Sequence, residues 1–317
     1  MQEYRITTEE LVKWCQIPVE ELASHPDSKL ELCLYDNKKD TFEAIGNDMA
    51  DEVAANNAAM KPTKWVLCSG PNEQYNTFLR RVHEEHISLK NVWIFQMDEA
   101  LDWQGRHNPV LPIPGSCEGR MNKIFFDKID SELTIPVEQR FFCHTDKMDL
   151  IDETIDSMGG LDTVYAGVGY KGLVGNNETP LNPYQRITLE EYANSKTRIV
   201  AVNPDTIIAY SERSYGGMYD MCNPMMVTLG FKSLLNTKRA VYMMTTGSWK
   251  NTVLRVAMFS EPTLEYPVTL FPAYAPKVVC YADKSTADHP LAHDSRNIVN
   301  PYSVPGLFKD SGEWQPK

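Results

Sequence analysis

With 317 residues, 42% hydrophobic and 23% charged, the chain is long enough for one large α/β domain or two smaller ones, with a core of full size. Its net charge of −12 argues against a general binder of nucleic acid or of anionic membranes, yet leaves room for a small anionic substrate in a local basic pocket. The segment Met1–Arg5 has no apolar signal core, and no later stretch is long enough to span a bilayer. The seven cysteines are widely spaced and form no C-x-x-C pair, which predicts reduced, buried thiols in a cytoplasmic protein without a zinc ribbon or redox pair. No metal or cofactor is expected.

Thr7 to Glu10 reads as a capping box. The helix it opens should stop before Pro18, with a second short helix near Val19–Ala23. Leu30–Tyr35 reads as a strand, and residues 39–57 as a helix with Phe42, Ile45, Met49 and Val53 on one face. Trp65–Cys68 is the next strand and runs into a turn at Ser69–Asn72. A helix is predicted over 76–85, then an apolar strand over Val92–Phe95. That strand ends in Asp98 and Glu99, adjacent carboxylates that fit either a site or a solvated helix start. Residues 101–120 carry Gly105, Pro109, Pro112, Pro114 and Gly115 and read as a long lid or binding loop.

Further on, helix is expected over 121–128, strand over Arg140–His144 and helix over 147–158. Val164–Ala166 is a strand that breaks into Gly167-Val168-Gly169-Tyr170-Lys171-Gly172. The pattern is G-x-G-x-x-G, but Gly175, Asn176, Asn177, Pro180 and Pro183 follow, where a dinucleotide fingerprint needs a helix. A polar loop at a strand end, carrying Glu178, is the preferred reading. Strands follow at Thr197–Val202, Ala240–Met244 and Lys277–Tyr281. A moderately apolar helix is expected over Met225–Leu235, and another from Thr245–Lys250 to Phe259. The alternation implies a Rossmann-like open α/β fold: a mostly parallel sheet with helices on both faces. Residues 1–29 form a helical extension, 30–283 the α/β domain and 284–317 a polar, extended tail.

The loops at Ser69–Gln74, Asp98–Glu99, Gly169–Glu178 and Thr245–Lys250 should then converge on the carboxyl edge of the sheet. Asp98 and Glu178 suit proton transfer. Thr245, Thr246, Gly247, Ser248 and Lys250 form an anion-binding set ahead of a helix. His83 and His86 read as an exposed polar face rather than a metal pair, and His289 and His293 as solvated.

Together these motifs resemble the glucosamine-6-phosphate deaminases/isomerases, which share a fold with the 6-phosphogluconolactonases. The similarity covers about Leu30 to Asp283. Phe95-Gln96-Met97-Asp98-Glu99 resembles the family's F-N-M-D-E. Gly167-Val168-Gly169 through Asn177-Glu178 resembles G-V-G-N-D-G-H-I-A-F-N-E-P, and Gly247-Ser248-Trp249-Lys250 resembles G-S-x-K.

By resemblance, Asp98 is the base that moves a proton between C1 and C2 of an opened amino sugar. Glu178 belongs to the ring-opening group, and Lys250 binds phosphate. The catalytic candidates are thus Asp98, Glu99 and Glu178. The substrate-binding candidates are Ser69, Gly70, Gly167, Gly169, Lys171, Asn177, Arg213, Ser248 and Lys250. The expected partner is a sugar or sugar phosphate, and self-association is implied by analogy.

The sequence departs from the family pattern at several positions. Lys171 replaces an aspartate, and Leu173 replaces the ring-opening histidine. The phosphate loop contains Pro71, which has no N–H, and Glu73, which should repel phosphate. Glu212 stands where the family has an arginine, with Arg213 one residue later. Two readings follow: an enzyme of aldose–ketose proton transfer, or a sugar-phosphate-binding or regulatory protein on the same fold. A nicotinamide enzyme using Gly167–Gly172 is an outsider.

Overall fold

The computed structural model describes residues 4–107, 116–181 and 186–294. The chain opens with α1 (Thr8–Cys15) and α2 (Val19–Leu22), where the predicted Thr7/Glu10 capping box is present in full. Then come β1 (Glu31–Tyr35), α3 (Lys38–Ala58), β2 (Thr63–Leu67), α4 (Gln74–Glu84), β3 (Val92–Gln96) and β4 (Asp98–Leu101). Next are α5 (Cys117–Ile124), β5 (Arg140–Phe141), α6 (Met148–Ser157), β6 (Leu161–Gly167), α7 (Leu189–Ala193), β7 (Arg198–Ala201) and α8 (Pro204–Tyr215). The described part closes with β8 (Met225–Thr228), α9 (Phe231–Leu235), β9 (Thr237–Met244), α10 (Asn251–Phe259), α11 (Leu270–Tyr274), β10 (Val278–Asp283), α12 (Lys284–Ala287) and α13 (Pro290–His293).

A seven-stranded sheet of order β1-β10-β9-β6-β2-β3-β5 is parallel at every pairing. Its central strands are apolar on both faces. All of Thr63–Leu67 is buried, as are Val164, Tyr165 and Ala166 in β6 and residues 240–244 in β9, as expected when helices cover both sides. From β2 the chain winds outward to β3 and β5; from β6 it winds the other way to β9 and β10. The reversal lies between β2 and β6, which makes a crevice at their carboxyl ends. The backbones close tightly there: a Cβ on Gly167 would lie 2.7 Å from the Gly70 carbonyl oxygen and 2.8 Å from Pro71 Cδ. Buried Arg255 on α10 donates to the carbonyls of Trp14, Ile17 and Ala287, fastening the N-terminal helices and α12 to the domain.

Several expectations need correction. Met225–Leu235 is not one helix. Met225–Thr228 forms the middle strand of a small antiparallel sheet, β4-β8-β7, and only Phe231–Leu235 is helical. Ladder bonds on both sides outweigh the helix preference of Met and Leu. Gly230 breaks the run because a Cβ there would collide with the Ser195 and Lys196 carbonyls. The 197–202 strand belongs to this small sheet, not the parallel one. Arg140–His144 shrinks to two paired residues. Residues 101–120 are not all loop: Leu101 ends β4 and Cys117 begins α5, while 108–115 lie outside the described residues. The tail starts with two short helices, α12 and α13, and the expectation for 295–317 also falls outside. His289 is half-buried rather than solvated, and burial pushes its imidazole down to about 4. His86 lies beyond the end of α4, so it does not share a helix with His83. None of the described helices is long and apolar enough to cross a membrane. The seven cysteines are free, with Cys33 and Cys222 only half-buried.

Candidate active site

A cavity of about 420 Å³ opens at the carboxyl edge of the parallel sheet. The loops after β2, β3, β6 and β9 all reach it, through Ser69 and Gly70, Asp98, Gly167 and Gly169, and Thr245, Thr246 and Lys250. The other wall is α8, whose Thr206, Tyr210 and Arg213 fall on one helical face.

Asp98 is the acidic centre of the cavity. Asn176 Nδ2 donates to its Oδ2 at 2.7 Å, and the Cys117 thiol approaches Oδ1 at 3.5 Å. Burial pushes the Asp98 carboxyl up to about 6, aided by the charge of Glu99 and opposed by Cys117, Arg120 and Asn176. A carboxylate with that affinity for protons is a competent base near neutral pH.

Glu99 is not at the cavity. Consecutive strand residues face opposite ways, and Glu99 turns into the protein, fully buried. Its Oε1 accepts from the backbone N–H groups of Ala100 and Cys117 at 2.7 and 2.8 Å, and its Oε2 from Glu118 at 2.6 Å. It thereby satisfies the first donors of α5, which a helix cannot satisfy itself.

Glu178 does not line the cavity either. Its Oε2 accepts from Asn203 N–H at 2.9 Å, and Oε1 is buried without a hydrogen bond. Burial pushes this carboxyl up to about 7. Its neighbour Thr206 does line the cavity. Leu173 lines the cavity and packs on Gly169, where a Cβ would lie 2.6 Å from Leu173 Cδ1.

The cationic end is built around Lys250, buried just ahead of α10. Burial, and secondarily Arg213, push its amine down to about 8. Arg213 donates to the Thr246 carbonyl at 3.0 Å and lies 4.6 Å over the Trp249 ring. Trp249 also stacks on Tyr170, with centroids 5.8 Å apart and planes at 14°. Lys38 pairs with Glu73 at 2.5 Å, so the repulsion expected from Glu73 is offset.

Of the other substrate-binding candidates, Ser248 is exposed and outside the cavity lining. Lys171 points to Asp205, 3.6 Å away, rather than into the cavity. Buried Asn177 ties its loop to the carbonyls of Val174 and Leu229. Sequence reasoning missed Asn176, Arg120, Tyr210 and Trp249, all in the lining. The i, i+4, i+7 spacing of Thr206, Tyr210 and Arg213, behind Pro204 at the helix start, was a readable signal for α8. The nicotinamide reading loses its support: residues 170–172 form one 3-10 turn, and no long helix opens behind Gly167.

No family model matches the chain. Glucosamine-6-phosphate deaminase of Bacillus pumilus (strain SAFR-032) is 25% identical over 235 residues, spanning 72% of this chain and 88% of the relative. The enzyme of that name from Borrelia garinii subsp. bavariensis is 28% identical over 211 residues, 62% of this chain and 71% of the relative. Among solved structures, a monomeric glucosamine-6-phosphate deaminase shares the fold with a TM-score of 0.68 at 19% identity, covering 81% of this chain and 99% of the other. A 6-phosphogluconolactonase from Trypanosoma brucei does so with a TM-score of 0.55 at 15% identity, covering 82% and 98%. In sequence the chain is similar to glucosamine-6-phosphate deaminases at about 25% identity, and it shares the fold of a solved deaminase and of the 6-phosphogluconolactonases.

Proposed function

We propose that the chain catalyses aldose–ketose proton transfer on a sugar phosphate, with release of ammonia where the substrate carries a C2 amine. The observation that carries this reading is Asp98: a carboxylate raised to about 6, held by Asn176, in a cavity that also contains Lys250 and Arg213. In the open-chain substrate, ionised Asp98 takes the proton from C2 and returns it to C1. The electron pair of the broken C2–H bond forms the double bond between C1 and C2 while the C1 carbonyl π pair moves onto O1, which takes up a proton. The C2 heteroatom then gives up its proton as C1 is reprotonated. Where that heteroatom is nitrogen, water hydrolyses the C2 imine to ketone and ammonia. Lys250 and Arg213 supply charge for the phosphate, and the Trp249–Tyr170 pair offers an apolar face for the sugar.

The test is solvent deuterium wash-in at C1 and C2, with parallel ammonia detection, using glucosamine 6-phosphate and unaminated hexose phosphates. Asp98→Asn should abolish wash-in by about 100-fold or more, the usual worth of a positioned base. Wash-in at the wild-type rate by the variant removes Asp98 from this role. The second reading, a binding or regulatory protein, is favoured by Leu173 in the lining. Thermal stabilisation by sugar phosphates with neither wash-in nor ammonia from the wild-type protein selects it.

A further inference from the structure

Behind the Asp98 wall, and outside the cavity lining, lies a cluster that the proposed reaction does not use. His107 follows β4, Glu118 sits in the first turn of α5, and His144 follows β5. These three segments are far apart in sequence, yet each sends one donor atom to a common point, all within 4.8 Å of one another. A single oxygen, Glu118 Oε2, lies 2.7 Å from His144 Nε2 and 3.4 Å from His107 Nε2. The imidazole centroids are 4.5 Å apart.

His107 Nε2 is also 3.3 Å from Glu99 Oε2, yet makes no well-directed hydrogen bond to either carboxylate. Two imidazoles facing one carboxylate oxygen, with a second buried carboxylate behind, form a donor-rich and electron-rich pocket. A positive ion is the natural complement. The side chains are 14%, 16% and 29% exposed, shielded but still open to entry from solvent.

We propose that His107, Glu118 and His144 bind one divalent metal ion of the zinc class. Two imidazole nitrogens and one carboxylate oxygen are a donor set that zinc accepts, with bonds of about 2.0–2.2 Å. In a tetrahedron such bonds separate the donors by about 3.4 Å. His107 and Glu118 already stand at that separation, and His144 reaches it by a small movement of its side chain. Glu99, next to His107, adds negative charge and is fixed by backbone N–H groups. The ion's role is to lock the start of α5 to the ends of β4 and β5. That start carries Cys117 and Arg120, both of which line the cavity beside Asp98. The site is independent of the proposed sugar chemistry, so either can fail without the other.

The test uses the full chain after chelator treatment, titrated calorimetrically with Zn²⁺ and, separately, examined spectroscopically with Co²⁺. One equivalent of Zn²⁺ should bind and raise the melting temperature, and Co²⁺ should give visible bands of a tetrahedral nitrogen–oxygen site. His144→Ala and Glu118→Gln, each removing one donor, should weaken Zn²⁺ binding by about 100-fold or more, beyond the 10–100-fold loss typical of an outer partner. Absence of saturable Zn²⁺ uptake, or intense thiolate charge-transfer bands with Co²⁺, overturns the proposal on the wild-type chain alone. So does an unchanged Zn²⁺ dissociation constant in the folded variants.

Discussion

Replacing the Asp98 carboxylate should stabilise the protein at alkaline pH while it removes the proposed base. Burial is the largest cause that holds this carboxyl at about 6 rather than its ordinary 3.8. The sign follows from proton linkage. A raised carboxyl binds its proton more tightly in the folded state, so its stabilising contribution is full below pH 3.8 and lost as pH rises through about 6. A move from 3.8 to about 6 corresponds to about 3 kcal/mol. By pH 8 the wild-type protein therefore carries an ionised, half-buried carboxylate at a cost of up to that amount. Asn is nearly isosteric, and its Oδ1 can still accept from Asn176 Nδ2. Urea unfolding of wild type and Asp98→Asn at pH 4.5 and pH 8 measures the effect. The stability difference, variant minus wild type, should increase between those pH values by about 1–3 kcal/mol, with the variant the more stable at pH 8. A difference that does not change with pH shows that Asp98 is not held in a strained ionised state, and weakens the case for it as a tuned base. On the proposed function, the same ionisation should set the rising limb of a pH–activity profile near pH 6.

Two further perturbations probe the rest of the cavity. Lys250→Ala should raise the dissociation constant of a sugar phosphate about tenfold or more, since a charged hydrogen bond is worth about 1.5–3 kcal/mol; in the wild type, affinity should fall as pH passes about 8, where the lysine loses its proton. Equal affinities in calorimetry would move the phosphate elsewhere. Gly167→Ala should cost about 1–3 kcal/mol in urea unfolding, because its Cβ would press on the Gly70 carbonyl oxygen at 2.7 Å and the Pro71 ring Cδ at 2.8 Å, a backbone group and a ring fused to the backbone, neither of which can swing away.

The sequence marked which loops meet, but not which way their side chains face. Glycines, asparagines and acids after apolar runs located the turns beyond β2, β3, β6 and β9, and parallel winding brings such turns to one edge. Within each motif, neighbours then part company. Asp98 faces the cavity, whereas Glu99 caps α5. Asn176 holds Asp98, whereas Asn177 holds only backbone. Lys250 is buried at the cavity, whereas Ser248 is exposed. Facing was legible only once β4 was known to be a strand, and β4 pairs with β8, a segment whose Met-rich composition read as helix. The His107, Glu118 and His144 cluster was hidden for a related reason. Its members are distant in sequence and meet only through the packing of β4, α5 and β5.

The chemistry kept and the chemistry lost in the loop after β6 can be separated experimentally. On the proposed function, proton transfer at C1 and C2 rests on Asp98, which is present. Opening a cyclic sugar needs a proton exchanged at the ring oxygen, and the family's histidine position holds Leu173, which cannot exchange one. Glu178, raised to about 7, lies outside the cavity lining and accepts from Asn203 N–H instead. On the proposed function, the chain should therefore favour substrates that are already open. A tetrose 4-phosphate, whose terminal oxygen is blocked, cannot close a ring; a hexose 6-phosphate is mostly cyclic. Leu173→His puts an imidazole on the lining, within the loop that also bears Glu178. General acid–base groups contribute about 10²–10⁴-fold, so even a poorly aligned imidazole should improve kcat/KM for the hexose phosphate relative to the tetrose phosphate by about tenfold. Deuterium wash-in with both substrates reads that ratio directly. An unchanged ratio in a folded Leu173→His variant would mean that ring opening does not limit this protein, and that Leu173 shapes the pocket rather than the reaction.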